Sequence, residues 1–232
     1  MATTTYDAFL SDILPYVRNC PDPTIEAAVR STTIEMCEKT EIWQADLDPI
    51  STIANQWEYD LEPPSGSLVH RMLTVTDENG NPLEPVTSAL MEQRDPDWRD
   101  NPSKPKYFIK RDQALIWFTP PPAVAVRNAI LIRAVLKPTI SSVSCDSWIM
   151  TDFRDTIVNG AIARLTQMPD RDWSNFKTSA VMYAKFLDQL VDVEKRARQA
   201  NEGVVPIVSY GGIGARTGQR RRYDHSRRSR LI

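Results

Sequence analysis

Histidine occurs twice in the 232 residues, cysteine three times and glycine eight times, and each scarcity removes a class of function. One histidine, His70, stands on a segment that reads as a strand; the other, His225, lies in an arginine-rich stretch near the C-terminus. A Ser-His-Asp relay or a histidine-rich metal site therefore lacks its parts. Cys20, Cys37 and Cys145 are odd in number, widely separated and free of any CxxC spacing. They predict buried, reduced thiols rather than a disulfide framework or a zinc centre. No apolar run approaches the roughly 20 residues needed to cross a bilayer. The opening MATTTYDAFLSDILPYV carries no basic start of the signal-peptide kind. No membrane partner is expected.

Half of the glycines fall in one place, GGIGARTG at 211–218. A phosphate-binding P-loop needs GxxxxGK[ST], and no lysine follows Gly218; Gly212, Gly214 and Gly218 also miss the dinucleotide spacing GxGxxG. Asp95, Asp97 and Asp100 in DPDWRD resemble oxygen ligands, but the further ligands, central glycine and closing glutamate of a calcium loop are missing, so a solvated loop is expected. Glu58, Asp60 and Glu62 alternate as the outer face of a strand would, with nothing further to suggest acid-base work. Pro120, Pro121 and Pro122 read as a rigid connector between strands. No catalytic residue, cofactor or metal is expected.

What the chain does contain is a core and a divided charge. Apolar residues make up 41%, with six tryptophans, and 17 prolines imply many turns. The net charge is only −2, yet seven of the 28 Lys and Arg and one of the 30 Asp and Glu lie beyond residue 202. Residues 1–202 are thus left with 21 basic and 29 acidic side chains. An acidic body repels nucleic acid, while the C-terminal stretch attracts polyanions or acidic protein surfaces. The cluster Arg216, Arg220, Arg221, Arg222, Tyr223, Arg227, Arg228 and Arg230 admits two readings. One is arginine-phosphate contact with a nucleic-acid backbone. The other is a flexible arm that orders on an acidic protein groove through bidentate guanidinium-carboxylate pairs.

Periodicity predicts four helices around a β insertion. Phe9, Ile13 and Val17 suggest a helix over 4–18, with Pro15 late in it. After Asp22 as N-cap and Pro23, a helix to about residue 40 puts Ile25, Ala28, Val29, Thr32 and Met36 on one face. From 50 to 138 the period falls to two, predicting about six antiparallel strands. Trp57, Tyr59 and Leu61 alternate with polar residues; LVHRMLTVT is a strand ending in an Asn79-Gly80 hairpin, with a return strand at Leu83 to Met91. KYFIKRDQALIWFT supplies two short strands, and NAILIRAVLKP another. A helix with Trp148, Phe153, Ile157, Val158, Ala161 and Leu165 follows, to about Met168. The last, 171 to about 200, would be roughly 45 Å long. Its inward seam is expected at Phe176, Ala180, Tyr183, Leu187, Leu190 and Ala197, with Glu194 the polar exception. Its outer face includes Lys185, Asp188, Asp192, Lys195 and Arg196, which become candidates for a contact with a neighbouring subunit. The expected architecture is α+β: a four-helix bundle from 1–46 and 140–202, an inserted antiparallel β domain at 47–139, and a basic C-terminal arm at 203–232.

The opening YDAFLSDILPYVRNCPDPTIEAAVRSTTIEMCEKTEIWQADL resembles the start of head-to-tail adaptor (head-completion) proteins of short-tailed bacteriophages. The likeness rests on "LPYV", the "CPDPTIEAAVR" junction and "MCEKTEIWQ"; "WFTPPP", "LKP" and a long last helix before a basic tail fit the same layout. The resemblance implies a structural virion protein without enzymatic activity. It implies a ring, usually of twelve subunits, assembled in the host cytoplasm under the portal ring. Such a ring extends the DNA channel without gripping the genome and offers a platform to the tail nozzle or fibres. It further implies that residues 203–232 dock on the portal. Two rivals stand beside it: a DNA-binding protein acting through the arginine cluster, and a tail-completion or neck protein that contacts the tail instead of the portal.

Overall fold

The β-branched run Thr3–Thr5 opens the computed structural model, which describes residues 2–202, as a strand, β1. A tight 3-10 turn, Tyr6–Phe9, and a single helical turn, α1 (Leu10–Ile13), follow. The helix expected over 4–18 is therefore mostly absent. Threonines favour extended backbone, and β1 finds a partner strand at Ser144–Asp146, pairing Thr4 with Cys145. Beyond α1, Pro15 offers no N–H, and the chain closes in i to i+3 turns until Asn19, at φ 65°, reverses it. Phe9, Ile13 and Val17 are nevertheless fully buried, because these tighter turns keep the fourth-residue spacing on one side.

Helix α2 (Asp22–Thr40) begins on the Pro-Asp-Pro junction, with Pro21 at the N-cap position. It buries Ile25, Ala28, Val29, Thr32 and Met36, as expected. Its buried threonines return their hydroxyls to carbonyls one turn back, Thr32 to Ala28 at 2.8 Å and Thr33 to Val29 at 2.9 Å, so no donor is stranded. Glu41 at φ 52° ends the helix.

Next come β2 (Gln44–Asp46), β3 (Ile50–Thr52), β4 (Glu58–Asp60), β5 (Ser67–Asp77), β6 (Glu84–Pro85), α3 (Ser88–Arg94), β7 (Tyr107–Lys110), β8 (Leu115–Thr119), β9 (Val126–Pro138) and β10 (Ser144–Asp146). They form three sheets among the described residues instead of one antiparallel unit. β9 is the hub of the largest. It pairs with β2, β3 and β5, all antiparallel. β4, β8, β7 and β6 form another, in which β6 joins β7 in parallel. β1 and β10 form the third, so three strands (β1, β2 and β10) lie outside the boundaries expected for the insertion.

The Asn79-Gly80 turn exists: Gly80 takes φ 80°, and the Asp77 carboxylate accepts from the backbone N–H of Asn79 and Asn81. The return strand is cut short: Leu83 donates to the Val75 carbonyl at 2.8 Å and Pro82 bridges Thr76, but Glu84–Pro85 then leaves β5 to pair with β7. Thr87 accepts from the N–H of Leu90 as a helix cap, and 88–94 winds into α3. Ala, Leu, Met, Glu, Gln and Arg dominate that stretch, and all are strong helix formers. Where β5 slips register against β9 around His70, Lys110 of β7 donates to the Val69 carbonyl at 3.1 Å and to that of His70. One ammonium thus joins two sheets. Burial lowers its pKa, and so does the charge of Lys137.

The chain returns to helix in α4 (Ser147–Asp152), α5 (Arg154–Thr166) and α6 (Phe176–Glu202). The helix expected from Asp146 to about Met168 is two pieces meeting at buried Phe153. The last helix starts at 176 and not 171, because Asn175 caps it: its Oδ1 accepts from the N–H of Thr178 at 3.1 Å. Three long helices, α2, α5 and α6, pack mutually, where a bundle of four was expected. A single main core runs from Tyr6 through the β9 sheet to Val193.

The three helices meet at Gly160. A Cβ built there would lie 2.4 Å from Cγ2 of Thr32 and 2.9 Å from the Phe186 ring. Gly160→Ala should lower stability in urea unfolding by roughly 1–3 kcal/mol, overpacking outweighing about 1 kcal/mol of gained helix propensity. Adding Thr32→Ser, which removes the nearest methyl, should recover part of the loss.

Candidate functional site

α6 carries two apolar stripes, and the fold uses one. Ser179, Phe186, Leu190, Val193 and Ala197 point inward and are buried. Phe176, Tyr183, Leu187 and Val191 remain 64, 46, 39 and 50% exposed. Of the seam expected from periodicity, Leu190 and Ala197 are inside, whereas Phe176, Ala180, Tyr183 and Leu187 are not. Steps of three and four residues fit either stripe, about a quarter-turn apart. The choice falls to Phe186, whose ring occupies the space left over Gly160.

The unused stripe borders a groove of about 520 Å³ between α5 and α6, lined by Phe176, Ala180, Tyr183, Ala163, Arg164 and Glu35 among others. Glu35 is paired with Lys39 at 2.5 Å and with Arg164. Burial by itself would raise its pKa. The bonds to Lys39 and Arg164 outweigh that and hold the carboxyl below its ordinary value.

The five charged candidates on the outer face of α6 are all exposed: Lys185, Asp188, Asp192, Lys195 and Arg196. Lys195 meets Asp192 at 3.0 Å within the helix, and the Arg196 guanidinium lies 5.9 Å from the Phe153 ring centre. Asp192 and Arg196 also line a pocket of about 390 Å³ with Asp152, Arg154 and Asp155. Arg154 is engaged by Asp12 at 2.7 Å. The arm candidates Arg216, Arg220, Arg221, Arg222, Tyr223, Arg227, Arg228 and Arg230 lie outside the described residues, as does the glycine-spaced stretch 211–218.

The polar loop DPDWRD hides a core residue that its composition did not disclose. Trp98 is fully buried with Met91 and Ile109, against Trp57 and Trp117. The guanidinium of Arg99 lies over the Trp98 ring at 4.4 Å, and Trp117 Nε1 donates to Glu58 at 2.8 Å. No group of three or more metal-ligating side chains occurs among the described residues. The three thiols are buried. Burial pushes Cys145 up to about 12 and raises Cys37 and Cys20 as well, so none is poised as a thiolate. Burial, followed by the charge of Lys137, lowers the pKa of His70. No described helix is long and apolar enough to cross a membrane.

Glu35→Gln should leave Lys39 and Arg164 facing one another without a counter-charge, at about 1–2 kcal/mol of stability near neutral pH. A depressed carboxyl stabilises the fold above its unfolded pKa and stops doing so as pH falls through its folded value. The gap between wild type and variant in urea melts should hold from pH 7 to about 5 and close below about 4. A gap that widens on acidification would contradict the assignment.

In comparison with known proteins, residues 4–207 match a family model described as SU10 adaptor protein. No curated protein matches the chain.

Proposed function

We propose, on the premise that this chain belongs to the SU10 adaptor protein family, that it joins the portal ring of a phage head to the tail below it. The family makes it a structural adaptor and a virion component, associated with portal and tail parts. The observation that carries the finer reading is the reach of the match. It extends over 4–207 and so spans the chain from β1 to α6.

In this reading the helical parts, 1–46 and 140–202, form a ring, usually of twelve subunits in such adaptors. The strands of 47–139 face outward or tailward, towards a nozzle or fibre protein. Neighbouring subunits meet along α6, with Lys185, Asp188, Asp192, Lys195 and Arg196 as the charged rim of the contact. Residues 203–232 hold the portal through the cluster from Arg216 to Arg230. The charge division supports this: a body with 29 acidic against 21 basic side chains repels phosphates, so DNA passes through the channel without being retained. Residues 203–232, with seven arginines and one acidic side chain, suit carboxylates on a partner.

Three measurements test it. Full-length chain should co-sediment with purified portal rings from the same virion, and a chain ending at Glu202 should bind at least about tenfold more weakly; equal binding would remove the arm from the contact. Duplex DNA at low salt should show no mobility shift with micromolar protein. A shift that weakens steeply as salt rises would favour a DNA-binding protein instead. Cross-linking to a tail protein in place of the portal would favour the neck-protein reading.

A further inference from the structure

We propose that Asn79 is a site of spontaneous deamidation, and that its isoaspartate product releases the tip of the β5–β6 hairpin from the 103–105 segment. The inference stands apart from the adaptor reading and follows from the chemistry of one turn.

Asn79 and Asn159 are the two asparagines followed by glycine. Deamidation by ring closure requires the backbone nitrogen of the next residue to reach the asparagine Cγ. A glycine leaves that approach open, whereas Asn81 and Asn101 precede prolines, whose nitrogen has no proton to give. The two Asn-Gly pairs lie in opposite surroundings. Asn79 and Gly80 are exposed, and a Cβ at Gly80 would meet nothing within 4 Å. The Gly80 N–H is held by the Asp77 carbonyl at 2.9 Å, at an exposed hairpin tip where local opening costs little. Asn159 and Gly160 lie within α5, whose interior N–H groups are committed to the carbonyl four residues back. The Asn159 amide donates to Gln189 at 3.0 Å, and Thr32 and Phe186 close over Gly160. No five-membered ring forms there until the helices separate.

At Asn79 the reaction needs only water. The Gly80 nitrogen bonds to Cγ of Asn79 as the Cγ–Nδ2 bond breaks, and ammonia leaves with the former Gly80 amide proton. Water then opens the cyclic imide. Attack at Cγ gives aspartate. Attack at the main-chain carbonyl gives isoaspartate, in which the chain runs through Cβ and Cγ and is one methylene longer.

That methylene falls inside a turn closed by paired backbone bonds, Gly80 N–H to the Asp77 carbonyl and Asp77 N–H to the Asn81 carbonyl, each 2.9 Å. The Asp77 carboxylate fixes the same turn, accepting from the N–H of Asn79 and Asn81 at 2.9 and 2.8 Å. It also holds Lys104 at 2.6 Å, so this pair ties the hairpin tip to the segment that leads into β7. A longer turn does not keep all of these contacts. Either product also places a new carboxylate next to Asp77 and Glu78, three in succession beside the one ammonium of Lys104.

Ageing the protein tests this. The purified full-length chain is kept at mildly alkaline pH, sampled over days, digested and read by mass spectrometry, with an isoaspartyl methyltransferase as the probe for isoaspartate. In the native chain Asn79 should convert at least about tenfold faster than Asn159, and faster still as pH rises, because the attacking nitrogen must lose its proton. In concentrated urea the two sites should react at similar rates, since the fold no longer separates them. Asn79→Gln, whose longer side chain does not close the five-membered ring, should lose the conversion at the hairpin. Equal native rates at the two sites would overturn the proposal, and so would an Asn79 that converts in urea but not in the native chain. Aged wild type should then unfold at lower urea concentration than Asn79→Asp, which carries the same added charge on a main chain of ordinary length, while aged Asn79→Gln keeps its midpoint. Coincident midpoints for aged wild type and Asn79→Asp would rule out the release of the hairpin.

Discussion

Three helices approach one another over Gly160, where no side chain would fit without displacing a neighbour, and most of what α6 presents follows from that contact. The missing Cβ brings Thr32 of α2 and Phe186 of α6 to within a distance that any side chain at 160 would deny them. Once Phe186 enters that space, the rotation of a 27-residue helix is settled along its length, because a helix turns as one body. Leu190, Val193 and Ala197 go inward with it, and Phe176, Tyr183 and Leu187 are left outside. The apolar stripe left exposed on α6 is therefore a by-product of a core contact.

β9 performs the corresponding task for the strands. It carries β5 along most of its length on one side and β2 and β3 on the other, and α2 packs on it, so helices and sheet share one core. Lys110 ties the second sheet to this one by donating to the Val69 and His70 carbonyls of β5, where its register against β9 slips. The small tryptophan cluster under the DPDWRD loop completes the second sheet. It gives that part of the chain a core of its own, in which Arg99 covers the rings and keeps them from water.

The body is acidic overall, with 29 acidic against 21 basic side chains over residues 1–202, and several of its charges are paired within the fold, Glu35 with Lys39 and Arg164, and Arg154 with Asp12. Burial accounts for the raised thiols, and burial together with the charge of Lys137 accounts for the lowered pKa values of His70 and Lys110. In an adaptor the working parts are surfaces, and their strength comes from apolar area placed next to complementary charge.

Much of this could be read in advance. The α+β composition, the extent of α2, the strands at 58–60, 67–77, 107–119 and 126–138, and the long last helix all carry local signals: period, proline breaks and turn residues. The family, too, was legible in short motifs near the N-terminus. Three things were not. The threonines of β1 needed a partner 140 residues away to become a strand, and Trp98 is a core residue inside a loop of polar and acidic neighbours. The inward face of α6 was ambiguous because two stripes share one periodicity. Local sequence determines which backbone form each segment prefers. Which of two equivalent faces is buried depends on volume at a distant contact, here the absent side chain at Gly160, and that volume exists only once the helices have met.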